Sequence, residues 1–187
     1  QYQSKKEEEH ILNAIVIKGH MFFLDETIQA TEVELNFLYD YFFSVEIWGE
    51  YELRLFSDIA ALFPIDLYFR YTREMLQRVD FLGDLQKNKN YIYTILLNGL
   101  FKAIDKKSLN KAAYFDKKIK EKFFDENEAY LRIVYLFADG QHDYILGQRN
   151  EGLTKMKNAI STLEIIGCEH SANYYSKNMS EWLKEFE

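Results

Sequence analysis

Apolar residues recur three or four positions apart along almost the whole chain, the spacing of helices that each bury one face. Ile11, Leu12, Ile15, Val16 and Phe23 predict a first helix over 6–24. Thr31 precedes Glu34 by three, a capping-box pattern, and Leu35, Leu38, Tyr39, Phe42 and Phe43 carry a second helix from it. Tyr51, Leu55, Ile59 and Leu62 predict a third, ending at or before Phe63 because Pro64 restricts the residue before it. A fourth is expected over 66–81, with Gly83 as its stop. Asn90 is expected to cap a helix over 91–104, Ser108 or Asp105 one over 109–123, and Asp125 one reaching about residue 138. Gly140 and Gly147 leave the end of that helix open. Asn150 introduces a helix ending near Gly167, and 171–186 forms the last. Strand readings fare worse: few β-branched runs alternate, and Asp139-Gly140 has helical flanks.

A slower period overlies this one. Ile11, Tyr51, Tyr91 and Tyr130 stand about 40 residues apart, and His170 falls about another 40 on. Each interval holds a helical hairpin, roughly 6–43, 48–82, 88–123 and 126–166, with 170–186 left as a single closing helix. A lone hairpin cannot bury its apolar face, and stacked neighbours can. The expected fold is all-α, a stack of about four helical hairpins plus a C-terminal capping helix, forming one domain over 1–187. An ordinary helical bundle is the alternative.

Composition narrows the class. In 187 residues, 48% are apolar and 28% charged, which excludes global disorder, and one Pro with eight Gly excludes collagen-like and Pro-rich chains. No uncharged apolar run is long enough to suggest a membrane-spanning helix. A single cysteine, Cys168, excludes an internal disulfide framework and a cysteine-built zinc site, and suits a reducing compartment. With 23 basic and 30 acidic residues the net charge is −7, which repels phosphate and argues against nucleic-acid binding by this chain alone. The chain opens on Gln1 rather than Met, so it is expected to be part of a longer protein.

Fifteen Phe, fourteen Tyr and two Trp are the conspicuous excess. The first helix of each hairpin carries large amphipathic residues: Trp48 and Tyr51, Tyr91 and Tyr93, Tyr130 and Tyr135, with Tyr174 and Tyr175 in the closing helix. Tyrosine offers apolar area and a hydroxyl at low entropic cost, which suits a groove for a peptide. A curved stack would line such a groove with one helix per hairpin. Asn98, inside the apolar run Ile95 to Leu100, could hold a peptide backbone or bond a neighbouring helix. Arg54 follows Tyr51 by three and could share its face; Arg70 and Arg73 lie in the same hairpin. For each Tyr, core packing competes with ligand contact, and for each Arg, plain solvation does.

No zinc helix, nucleophile elbow or phosphate loop occurs, so no enzyme, metal or cofactor is expected. Asp139, His142 and Asp143 could share a helical face and hold a metal, but such triplets arise by chance in acidic helices. Cys168 at a helix start reads better as a buried structural thiol than as a reactive one. Lys106-Lys107 and the basic segment 117–122 read as solvated faces or a docking patch, and Glu7-Glu8-Glu9 as the exposed side of the first helix. Four histidines raise a weaker possibility of a pH response, and of the four His20, between Gly19 and Met21, is the first candidate for partial burial.

The segment Tyr41-Phe42-Phe43-Ser44-Val45-Glu46-Ile47-Trp48-Gly49-Glu50-Tyr51-Glu52-Leu53-Arg54-Leu55-Phe56 resembles the W-x-x-YE-x-x-LF signature of Rgg-type transcriptional regulators from streptococci and their relatives. Leu96-Leu97-Asn98, Ala112-Ala113-Tyr114-Phe115, Ile160 through Gly167 and Ala172-Asn173-Tyr174-Tyr175 follow in the same order, in the looser pattern of tetratricopeptide-like repeats. The resemblance implies a tetratricopeptide-like domain that binds a short hydrophobic signalling peptide (a pheromone of quorum sensing) in a cytoplasmic homodimer. It implies DNA binding through an N-terminal helix-turn-helix domain that this chain lacks, and no membrane partner. Trp48, Glu52 and Phe56 match the signature, which reads as structural, with Glu52 expected to bond a neighbouring helix. Tyr51, Arg54, Tyr91, Tyr93, Asn98, Tyr130, Tyr135 and Tyr174 are the expected peptide contacts. The alternative is a constitutive helical-repeat scaffold binding a protein partner.

Overall fold

A computed structural model describes residues 2–22, 24–25, 27–79, 86–121 and 126–186. They are helices joined by turns, with one isolated parallel bridge between Trp48 and Val79. The chain divides into two compact units, Gln1–Asn98 and Gly99–Glu187.

The first unit contains α1 (Tyr2–Phe22), α2 (Glu32–Ser44), α3 (Glu50–Asp58), a 3-10 turn (Ala60–Leu62), α4 (Ile65–Arg78) and the first part of α5 (Gln86–Asp105). The Thr31 capping box forms as the spacing predicts: the Glu34 N–H donates to Thr31 Oγ1 at 3.3 Å, and the Thr31 N–H donates to Glu34 Oε2 at 2.7 Å. Lys18 of α1 donates to both Glu34 carboxylate oxygens, tying α1 to the start of α2. The core is aromatic. Phe42 stacks on Trp48 with centroids 5.0 Å apart, Phe56 stacks on Tyr68 at 5.0 Å, and Phe63 meets Tyr71 edge-on at 5.1 Å. All six rings are essentially fully buried. The Tyr68 hydroxyl donates to the Ile95 carbonyl of α5 at 2.8 Å, so its polar tip is satisfied inside the core. Around this core the turns are held by backbone bonds. The Trp48 N–H donates to the Arg78 carbonyl at 3.1 Å, and Arg78 Nη1 donates to the carbonyls of Phe43 and Val45, both at 2.9 Å.

The second unit contains the rest of α5, α6 (Leu109–Glu121), α7 (Ala129–Ile145), α8 (Arg149–Ile165) and α9 (Glu169–Lys184). In its α7–α8 seam two glycines meet closely. A Cβ on Gly152 would lie 2.4 Å from the Gly140 carbonyl oxygen, and one on Gly140 would lie 2.7 Å from the Gly152 carbonyl oxygen. Backbone meets backbone there, which explains a glycine in the middle of α7. A polar network lies beside it. Tyr135 donates to Asp116 Oδ1 at 2.7 Å, Lys120 to Asp116 Oδ2 at 2.9 Å, and Lys155 to Asp139 Oδ2 at 2.6 Å and Asp143 Oδ2 at 2.5 Å.

Several ends differ from the spacing. The helix expected to reach residue 138 runs on to Ile145, because Gly140 serves packing rather than termination. α5 starts at Gln86, so Asn90 is inside it and not its cap. α8 begins at Arg149 and α9 at Glu169, so Asn150 and Ser171 also fall within helices. The third helix tightens to 3-10 geometry after Asp58, and the fourth ends at Arg78. Phe23, Phe81, Gly83 and Asp125 lie outside the described residues. His20 is exposed rather than partly buried, and Glu7, Glu8 and Glu9 are exposed. Cys168 is half-buried at the start of α9. No helix among the described residues is long and apolar enough to cross a membrane.

Candidate functional site

In the first unit α3 sorts its residues cleanly. Trp48, just before it, and Leu53 and Phe56 point into the aromatic core with no exposed surface. Glu52 accepts the Gly49 N–H at 3.0 Å and so caps its own helix, where a bond to a neighbouring helix was expected. The W-x-x-YE-x-x-LF signature therefore builds a helix start and its inner face. Tyr51 and Arg54 take the outer face: both are exposed, and the Arg54 guanidinium carbon sits 6.0 Å from the Tyr51 ring centre. Burial raises the Tyr51 phenol, and Glu9, Glu52 and Glu8 raise it further against Arg54. Tyr41 of α2 joins this patch. Burial, then Glu52, Tyr51 and Glu8, hold its phenol far above the ordinary tyrosine range. Both hydroxyls stay protonated donors in an acidic, aromatic surround. Tyr41, Glu8 and Glu9 were missed as members because they lie on other helices, at no fixed spacing from Tyr51.

α5 is buried over most of its circumference. Tyr91, Thr94 and Asn98 are half-buried and follow one another at i, i+3 and i+7, so they form one partly open stripe. Tyr93 lies off that stripe and is buried, which removes it from the set of accessible tyrosines. Asn98 is half-exposed rather than enclosed, so solvent can reach it and it does not need a helix partner. Arg70 lies over Tyr39 and Phe43 at 5.4 and 5.7 Å, and Arg73 over Phe69 at 5.8 Å, on exposed parts of α4.

In the second unit, Tyr130 of α7 and Tyr174 of α9 are exposed and stand near one another. The Tyr130 hydroxyl is 3.4 Å from Ser171 Oγ, and Tyr174 packs edge-on against Tyr175 at 5.1 Å. Tyr175 rests on Phe137 at 4.9 Å, and burial, with Tyr130 and Tyr174 nearby, raises its phenol. Tyr135 belongs elsewhere. It is buried, and its hydroxyl is committed to Asp116, so it is part of the core rather than of an open wall. Asp139 and Asp143 share Lys155, which takes the place a metal would have needed; no metal-binding cluster occurs among the described residues. Gln141 was missed. It is 1% exposed, its Oε1 finds no partner among the described residues, and it follows Phe137 by four on α7. Its spacing was visible in the sequence; its burial was not.

The family model of the HTH-type transcriptional regulator Rgg, C-terminal domain, matches residues 1–177. The chain belongs to that family. Among solved structures, this Rgg C-terminal domain is similar to the Streptococcus dysgalactiae SHP pheromone receptor Rgg2, with 24% identity and a TM-score of 0.81 over 96% of this chain and 71% of that one. A cysteine-to-serine variant of the same receptor gives 24% identity and a TM-score of 0.80 over 96% and 70%. A protein of Listeria monocytogenes EGD-e gives 18% identity and a TM-score of 0.78 over 98% and 65%. These likenesses establish the helical fold of Rgg C-terminal domains. The corrected helix ends leave that fold class unchanged.

Proposed function

We propose that this chain is the ligand-sensing and dimerisation domain of a cytoplasmic transcriptional regulator, and that it binds a short hydrophobic signalling peptide. Its membership in the Rgg family over residues 1–177 carries the reading. The similarity to a receptor for SHP pheromone supports a peptide as the ligand class. The proposed contacts are Tyr51 and Arg54 on α3, Tyr91 and Asn98 on α5, and Tyr130 and Tyr174 on α7 and α9. All six side chains are at least partly open, and each offers apolar area, a hydrogen bond or both. Asn98 can pair with a peptide N–H and C=O at once. No catalytic role is assigned. DNA binding belongs to a helix-turn-helix domain outside this chain, in keeping with the net charge of −7.

The test is titration of fluorescein-labelled hydrophobic peptides of about eight residues, followed by polarisation. Saturable binding is expected, weakened about tenfold in Asn98→Ala with the Tm unchanged, as for loss of hydrogen bonds to a buried ligand. No saturation with any secreted hydrophobic peptide, alongside retention of a folded protein partner, would favour a scaffold instead. Sedimentation should show a dimer, and a monomer at tens of micromolar would remove the dimerisation part.

A further inference from the structure

Three helices of the second unit end in the same way. At the end of α5 the Lys107 N–H donates to the Ile104 carbonyl and the Ser108 N–H to the Ala103 carbonyl. Gly147 and Gln148 make the same pair with Tyr144 and Asp143 at the end of α7. Gly167 and Cys168 repeat it with Glu164 and Leu163 at the end of α8. This closure puts its first residue in the left-handed region, where glycine is the natural choice. Gly147 and Gly167 have φ of 93° and 76°. Lys107 has φ of 52° and is the one non-glycine residue with positive φ among those described. The chain thus places a long cationic side chain where its own two other turns use none, at a steric cost those turns avoid.

That side chain has a definite setting. Lys107 Nζ lies 4.5 Å from the Phe186 ring centre, on the wall of a cavity of about 310 Å³. Also on the lining, the Arg149 guanidinium lies 5.4 Å from the Tyr144 ring, and Leu109 and Ile145 add aliphatic surface. Neither Lys107 nor Arg149 has an ion-pair partner among the described residues, although the chain carries an excess of acid. Asp105, two residues before Lys107, and Glu185, next to Phe186, pair with neither. Burial and then Glu185 push the Asp105 carboxyl up, against the opposing charges of Lys106 and Lys102. Arg149 is also the first residue of α8, whose first-turn N–H groups have no side-chain cap. Two unpaired cations on aromatic faces and an uncapped helix start make an anion subsite with apolar walls.

We propose that this cavity binds a small organic carboxylate with an aromatic or aliphatic body. The volume is at the lower end of ligand pockets, about 300–1,000 Å³, and fits one ring with a short chain. This site lies wholly in the second unit, shares no residue with the proposed peptide contacts, and does not depend on that reading.

The probes are 4-phenylbutyrate and its uncharged amide, titrated into the full chain while the backbone amide signals of Leu109, Gly147 and Arg149 are followed by NMR. The carboxylate should shift these signals saturably, and the amide should bind about tenfold more weakly, as expected when a charge-assisted hydrogen bond is lost. Lys107→Gly should weaken carboxylate binding to a similar degree while leaving the Tm equal or higher, because glycine relieves the backbone. Arg149→Gln should weaken it without changing the Tm. Equal binding of acid and amide, no saturable shift, or shifts centred elsewhere would overturn the proposal. So would a Lys107→Gly protein that keeps its affinity, or one that melts lower, since either would make Lys107 a structural residue.

Discussion

The first unit is held by rings and the second by close backbone contact and charge. In the first, Phe42, Trp48, Phe56, Phe63, Tyr68 and Tyr71 interlock with centroid separations of 5.0–6.4 Å among their neighbouring pairs. The helices they join are short and their connections irregular, including a 3-10 turn and a bridge. Large rings fill the uneven space that such connections leave. In the second unit α7 and α8 are both 17 residues long, and glycines let their backbones meet. There the carboxylates of Asp116, Asp139 and Asp143 are served by Tyr135, Lys120 and Lys155. One chain thus uses two kinds of core: the first is sensitive to lost volume, the second to added volume and lost charge partners.

Substitutions can separate the two kinds. Phe56→Ala should have the largest effect, about 4 kcal/mol, because it opens a cavity at the centre of the ring cluster. Urea unfolding would read it as a lower midpoint. Gly152→Ala should cost about 3 kcal/mol, because the new methyl would meet the Gly140 carbonyl oxygen, which is backbone and cannot swing aside. Gly147→Ala is the control: it has open space but positive φ, and should cost about 1 kcal/mol. If the two glycine variants cost the same, backbone strain rather than helix contact governs the second core.

Smaller effects should follow from charge. Lys155→Met should cost about 2 kcal/mol, less than a fully buried pair, because the side chain is 27% exposed. Burial lowers the Lys155 ammonium, but its bonds to Asp139 and Asp143 outweigh that and hold it well above the ordinary lysine range. Its stabilisation is therefore complete below the unfolded value, about pH 10.4, and is lost as pH rises through the folded one. The Tm of the parent should fall more steeply in that alkaline window than that of Lys155→Met. Glu34→Gln should cost about 1 kcal/mol, as little as Gly147→Ala, from the weakened capping box and the lost Lys18 pair. Burial pushes the Glu34 carboxyl up, yet Lys18 and Thr31 bring it below the ordinary glutamate range. Its contribution is present above about pH 4.3 and lost as pH falls through the folded value, so acid melting of Glu34→Gln should be flatter than the parent's.

The helices were legible because an apolar period of three to four survives any tertiary arrangement. Their ends were less so. Thr31 marks its helix because its side chain makes the cap, whereas α8 and α9 start without a side-chain cap and left no mark on the sequence. Gly140 looked like a stop because glycine's two uses, turning a chain and admitting a neighbour, look the same in sequence. The tyrosines show a similar limit. Tyr51, Tyr130 and Tyr135 begin or follow similar helical patterns, yet two are exposed and the third gives its hydroxyl to Asp116, 19 residues earlier. Residue type shows that a hydroxyl is present, but not what it meets.

The guanidinium of Arg78 holds two carbonyls at the end of α2, while its own carbonyl receives Trp48. Unwinding the last turn of α4 would therefore free the entry to α3 in the same event. Amide exchange at Trp48 should then be slow, with a rate set by the fraying of α4 far along the chain rather than by the motions of its own short connection.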